Sequence, residues 1–291
     1  MISPRHLWSR FERIHAVTYF ADEAAAAATD AGYRGFWMGY FAQRAAPLGP
    51  VGPAVVTASF FGFHPGRVGR ALPDAWAFAG PDRALECRLD GVDRSLRRLW
   101  GDRLIASDEL RTAADLLWAA AQAAETAGRV LAAANQALPR PDPPHLALWQ
   151  ATATLREHRG DGHIAALVAA GVGPLQAALI KVAAGEADGA GLRRGRGWPD
   201  ADWSLAESSL IDRGWLVPAG GLDAGTLTVP GRVAHDDIER RTDDAAASPW
   251  AALGPPRTAQ VGDLLDVLVA PIAAAGVIPP INPIGVPLPA R

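Results

Sequence analysis

Cysteine and lysine each occur once in this 291-residue chain. Cys87 alone excludes an internal disulfide, and with no histidine beside it the residue reads as a buried thiol. Of 28 basic residues only Lys181 is not arginine. No uninterrupted apolar run reaches the roughly 18 residues of a membrane helix. Residues 1–8 lead into mixed charges rather than an apolar stretch, so no signal peptide is expected. A soluble, cytoplasmic protein without a membrane partner is the expectation. There is no Walker loop, no G-x-G-x-x-G, no H-E-x-x-H and no G-x-S-x-G, which removes the common nucleotide, zinc-protease and serine-hydrolase signatures. A strong charge of either sign is missing too: the net charge of −3 does not invite nucleic acid or an anionic surface.

With 49% apolar and 20% charged residues, the chain can bury a sizeable core, and its length suits two domains. The proline-rich run Pro139–Pro144 divides residues 1–138 from residues 145–269. From 270 to 291, repeated prolines in an apolar tail predict an extended strap rather than a helix. Helical spacing dominates elsewhere, so the expected fold is mainly α. The longest helix is predicted over Asp108–Leu138, with Ser107 as its cap. Helices are also expected over 11–43, 65–76 and 145–156. Gly160 and Gly162 are read as a break before a helix at His163, and residues 191–197 as a basic loop.

Residues 197–231 follow a distinct order: a helix ending Leu210–Leu216, a Gly-rich turn, then Leu227-Thr228-Val229-Pro230-Gly231. This order resembles a MarR-type winged helix, with a recognition helix, a small β wing and a closing helix. That likeness implies DNA binding, yet Asp200, Asp202, Glu207 and Asp212 face a single Arg213 in the helix that would enter the groove. A helix near −3 is repelled by phosphates. Residues 145–245 hold 10 basic and 14 acidic side chains, whereas residues 1–140 hold 16 and 14, so the positive balance lies outside the DNA-reading region. A faint repeat, Val51-Gly52-Pro53 against Val172-Gly173-Pro174, raises the expectation of two winged-helix-like halves fused as a pseudo-dimer. A homodimer is the alternative.

Three constellations carry candidate chemistry. His15 and Tyr19, and Tyr40 and Arg44, are each four residues apart, and could supply an acid/base pair and an anion-binding guanidinium. Phe36 and Trp37 on the same stretch read as core, Trp37 also as a candidate ligand contact. His64 precedes a helix that carries Arg67 and Arg70 on one face, which suits a carboxylate or phosphate. In Glu157–His163, the residues Glu157 and Asp161 could contact a polar ligand. His158 and His163, with Asp161, could instead converge on a metal if the glycines break the helix. The plain reading of this segment is a charged turn, with Asp161 capping the next helix. The cofactor is left open between none, a metal ion and haem.

The runs His15–Phe20, Gly35–Gly49, Phe63–Pro65 to Arg70–Trp76, and Leu155–His163 together resemble an actinobacterial family called SalK-like or simply helix-turn-helix. The resemblance spans nearly the whole chain. It implies a helix-turn-helix-type fold and carries over no catalytic residue. Two readings follow. The first is a small-molecule-binding protein, or an enzyme, with a His/Tyr/Arg-lined pocket between repurposed winged-helix halves. The second is a MarR-like transcriptional regulator that contacts DNA through the arginines of 193–196 and the wing.

Overall fold

A 26-residue helix, Pro144–Ala169, runs through the middle of the molecule and organises everything around it. In the computed structural model, residues 2–218, 225–280, 282, 284 and 285 are described. In chain order the helices begin with α1 (Pro4–His15), α2 (Val17–Phe20), α3 (Asp22–Asp30) and α4 (Gly35–Ala45). Next come α5 (Pro53–Phe60), α6 (Pro65–Gly69), α7 (Ala75–Phe78), α8 (Pro81–Ile105), α9 (Asp108–Gln122) and α10 (Val130–Gln136). The central α11 (Pro144–Ala169) is followed by α12 (Pro174–Ala183), α13 (Gly189–Arg196) and α14 (Asp200–Asp212). Strands β1 (Leu216–Val217) and β2 (Thr226–Leu227) pair antiparallel, Leu216 opposite Leu227. Helices α15 (Val229–Ala245), α16 (Ser248–Leu253) and α17 (Pro255–Ala274) complete the chain. The fold is therefore mainly α with one small wing, as the sequence predicts.

Proline at the first or second helical position starts many of these helices, where its missing N–H costs nothing. Both arms of the Val-Gly-Pro repeat behave this way, opening α5 and α12. Side-chain caps begin others: Ser107 Oγ accepts from Leu110 N at 3.2 Å, and Thr228 Oγ1 accepts from Gly231 N at 3.1 Å. The Thr-x-x-Gly signature has a second physical cause. A Cβ at Gly231 would collide with the Trp215 carbonyl, so only glycine lets α15 start this close to β1.

Three apolar cores result. Leu7, Phe11, Leu96, Leu117, Trp149, Leu265 and their neighbours form the largest, drawn from both ends of the chain. Phe41, Phe60, Phe63 and Leu72 centre the second, around α4 to α7. Leu175, Leu179, Trp203, Leu210 and Ile238 centre the third, inside the winged-helix-like lobe. Among the described residues no single helix is long and apolar enough to cross a membrane.

Four local expectations are corrected. The helix expected over Asp108–Leu138 is two helices, because Gly128 takes φ +72 and the chain turns between Ala123 and Arg129. Gly160 and Gly162 do not break α11. A Cβ at Gly162 would lie 2.7 Å from Arg129 Nη1 and 3.1 Å from Ala245 Cβ, so that glycine serves close packing rather than a turn. Burial along most of α11 outweighs the cost of about 1 kcal/mol for a glycine within a helix. Residues 191–197, read as a loop, fall almost wholly within α13, which is capped by Asp188 Oδ2 accepting from Gly191 N at 2.7 Å. The strap expected from residue 270 begins later, since α17 continues through Pro271 to Ala274 with Ile272 buried in the first core. Most of the tail beyond Pro280 lies outside the described residues.

The crossing of α3 and α8 yields a prediction. A Cβ at Gly91 would lie 2.8 Å from Ala24 Cα and 3.2 Å from Ala27 Cβ, backbone contacts that cannot yield cheaply. On helix propensity alone Gly91→Ala would stabilise by about 1 kcal/mol, but overpacking costs about 1–3 kcal/mol. The expected outcome is a net loss of stability, read as a lower Tm in thermal unfolding, and a rise in Tm would refute this account of the crossing.

Candidate functional site

Glu157, on the buried face of α11, is the hub of a charged network. Arg44 Nε and Nη2 donate to its two carboxylate oxygens, each at 2.9 Å, and Arg156 Nη1 donates to Oε1 at 2.7 Å. Arg156 Nε in turn donates to Glu12 Oε1 at 2.9 Å. Burial would raise the Glu157 carboxyl, but the Arg44 and Arg156 guanidiniums hold it well below the usual carboxylate range. The i, i+4 spacing on α4 lets Arg44 Nη1 also donate to the Tyr40 hydroxyl at 3.1 Å.

Against this network lies an aromatic cluster. His15 Nε2 and the Tyr19 hydroxyl share a hydrogen bond at 3.1 Å, and the His15 ring stacks on Trp149 at 5.3 Å. Burial, reinforced by Arg156, keeps His15 neutral, its pKa well below the ordinary value. Tyr19 and Tyr40 rings meet at 5.3 Å, and Arg44 lies over Phe60 at 4.0 Å. Arg88 is buried beside them. It donates to Gln150 Oε1 at 3.0 Å and the Gln43 carbonyl at 3.3 Å, and burial lowers its pKa to about 10.

Three cavities meet around these groups. One of about 160 Å³ is lined by His15, Tyr19, Tyr40, Arg44, Arg88 and Glu157 among others. A second, of about 330 Å³, shares Tyr19, Phe36 and Tyr40 with it and adds Trp37, Phe63 and Arg196. A third, of about 730 Å³, shares Arg44 with the first and is bounded by Arg156, Arg159, His163 and Lys181. Four sequence candidates, His15, Tyr19, Tyr40 and Arg44, thus come together with Glu157, far away in sequence. Trp37 joins through the second cavity. Phe36, expected in the core, is instead 53% exposed, because its side of α4 opens onto the cavities.

The other candidates line neither of the first two cavities, though His163 bounds the third. His64 caps α6, its Nδ1 accepting from Gly66 N at 3.1 Å, and its ring meets Trp198 edge-on at 5.1 Å. Arg67 Nη2 donates to the Arg194 carbonyl at 2.7 Å, and Arg70 is exposed on the surface. The glycine break that the metal reading of Glu157–His163 requires is absent. Because α11 is unbroken, His158 and His163 point to different neighbours: His158 is buried with no partner for Nε2, while His163 Nδ1 meets Thr242 Oγ1 at 2.9 Å. Asp161 caps a helix, but α10 rather than the next one: its Oδ2 accepts from Ala132 N at 3.0 Å. Among the described residues no group of three or more His, Cys, Asp or Glu side chains is placed to hold a metal.

The winged-helix-like lobe uses its few cations internally. Arg213 donates to the Gly171 and Ala170 carbonyls at 2.9 and 3.2 Å, closing the end of α11, and covers Trp215. Arg193 pairs with Asp200, and Arg196 lies over Phe63 at 4.2 Å. The exposed face of α14 presents Ser204, Ser208 and Asp212, with Leu205 71% exposed. A family model described as a helix-turn-helix family matches residues 4–279. This chain belongs to the helix-turn-helix family. No curated protein and no solved structure matches it. The helices α12–α14 and the two-stranded wing follow one another in the order read from the sequence.

Sequence reasoning missed Arg88, Glu12 and Arg156 as members of the site. Arg156 adjoins Glu157 and could have been found there, but Arg88 and Glu12 carry no local signal. The buried histidines set a pH dependence. Burial lowers His158 to about 4, so below pH 6.5 the unfolded chain binds that proton first and stability falls as pH drops toward 4. His15 acts the same way, and His163, a third exposed to the cavity, more weakly. Asp161, raised by burial to about 6, and His235, raised by Glu186, act in the opposite sense. Denaturant midpoints at pH 7 and pH 5 should show lower stability at pH 5. The gap should narrow in His158→Asn and widen in Asp161→Asn.

Proposed function

We propose that this protein binds a small, planar, anionic organic molecule in the cavities between the N-terminal aromatic helices and the C-terminal lobe. The observation that supports it best is Arg88. Its guanidinium is buried and lines the smallest cavity, yet no carboxylate among the described residues lies within ion-pairing distance, and its Nε has no partner. Arg44 and Arg156 have carboxylates in direct contact, whereas Arg88 is a buried cation with none, only the longer-range attraction of Glu157. Such a charge costs several kcal/mol, and an anionic ligand group beside it offsets that cost. Tyr19, Tyr40, Phe36 and Trp37 supply aromatic walls for a planar body, with hydroxyls to orient it.

Aromatic carboxylates should raise the Tm of the protein, and the corresponding amides should not. Arg88→Met should keep the helical circular dichroism and lose the shift. Absence of a shift with any carboxylate, together with a native mass spectrum showing neither an organic ligand nor a cofactor, would remove the reading.

A second reading, DNA binding, draws on family membership and on the exposed Arg194 and Arg232. The acidic α14 weighs against it. Two phosphate contacts correspond to a log–log salt slope of only about −2, far below that of established repressors. Gel-shift titrations at low and moderate salt should show weak binding that does not depend on sequence, and a tight complex with a steep salt slope would favour this second reading instead.

A further inference from the structure

The cavity of about 730 Å³ is lined by the one lysine of the chain, Lys181, which takes no part in the charged network around Glu157. Elsewhere this protein meets every need for a cation with arginine: ion pairs, helix ends and ring stacking. Lys181 lies in the last turn of α12, where an arginine would serve the helix dipole equally well. What a guanidinium cannot do is lose its proton and attack a carbonyl carbon.

We propose that Lys181 is a covalent capture site for an aldehyde or ketone, forming an imine with it. The proposal is independent of the ligand assigned to the aromatic cavities, with which this cavity shares Arg44 as a common wall.

Geometry is the first support. Lys181 lines the cavity, and among the described residues no carboxylate lies within ion-pairing distance of its amine and no hydrogen bond engages it. The neighbouring carboxylates are already engaged: Glu239 pairs with Arg5 at 2.9 Å and Arg159 at 3.5 Å, and Glu186 with His235 at 3.4 Å. Room for the amine depends on a glycine. A Cβ at Gly285 would fall onto Nζ, and Gly285 takes φ +67, a conformation that other residues adopt only with strain. A cavity of this size holds an ordinary metabolite beside the amine.

Electrostatics is the second support. Burial lowers the amine's pKa, and Arg196 and Arg159 push it the same way, against Glu186 and Glu239, which raise it. The net direction is downward, which raises the share of the neutral amine, the nucleophilic form. In the reaction the nitrogen lone pair attacks the carbonyl carbon, and the π pair moves to oxygen, which takes up a proton. The resulting carbinolamine expels that oxygen as water, and nitrogen gives up its remaining protons as the C=N bond forms. Amine plus carbonyl becomes imine plus water, with no oxidant or reductant required.

The test uses the full-length protein with benzaldehyde as probe and sodium cyanoborohydride to trap the imine at pH 7, followed by peptide mass spectrometry. With a single lysine, the product on the Lys181 peptide is separable from any on the chain's α-amine. The expected result is labelling of Lys181 about tenfold faster than of Nα-acetyl-lysine amide. Lys181→Arg should lose that product and keep the helical circular dichroism. The wild-type rate decides the matter even if the variant fails to fold. Labelling confined to the α-amine, or Lys181 reacting no faster than the free model amine, would overturn the assignment. Because the probe carries no anionic group, failure here leaves the carboxylate-binding result through Arg88 standing, and failure there leaves this one.

Discussion

The bidentate pair between Arg44 and Glu157 is the contact on which the site depends. It joins α4 to α11 across more than a hundred residues of sequence, both partners almost wholly buried. Arg156 extends it to Glu12 on α1, so three helices are tied by one chain of alternating charges. Removing these ions from water is expensive, and a buried pair of this kind contributes little net stability compared with apolar packing. What it supplies is register. Only one placement of α4 against α11 satisfies both carboxylate oxygens, and that placement sets Tyr40 beside Tyr19 and leaves the cavities between them.

Around that network the helix-turn-helix lobe acts as a wall. Its arginines close the end of α11, pair with Asp200 or lie over Phe63. The family fold is thus present, while Arg193, Arg196 and Arg213 are spent on intramolecular contacts. Fold membership and site chemistry point to different questions, and the site carries the functional argument. Two features of that site exceed structural need: a buried arginine without a carboxylate and a lone lysine facing a large cavity.

The helices were readable where their ends carry chemistry. Prolines at the first turn, Ser107, Thr228 and the aromatic periodicity of α4 act within a few residues, so their effect shows in sequence. The central helix was not readable as one piece. Its sides are covered by neighbours, so amphipathic spacing is lost and two glycines look like a break. Gly162 is small because Arg129 and Ala245 crowd it, a fact that belongs to residues far away in the chain. The convergence expected of His158 and His163 is absent for the same reason, since an unbroken helix gives the two rings different surroundings.

By itself the sequence determined a mainly helical, helix-turn-helix-type chain with a small wing and an acidic helix before it. It also marked His15, Tyr19, Tyr40 and Arg44 as candidates, because partners four residues apart on a helix meet whatever surrounds them. Only the tertiary structure decided that Glu157 completes Arg44, that Arg88 lies buried without a counter-charge, and that Lys181 faces open space. Ion pairing, desolvation and cavity shape depend on distances between elements that local spacing does not encode. They come into being only when the helices pack.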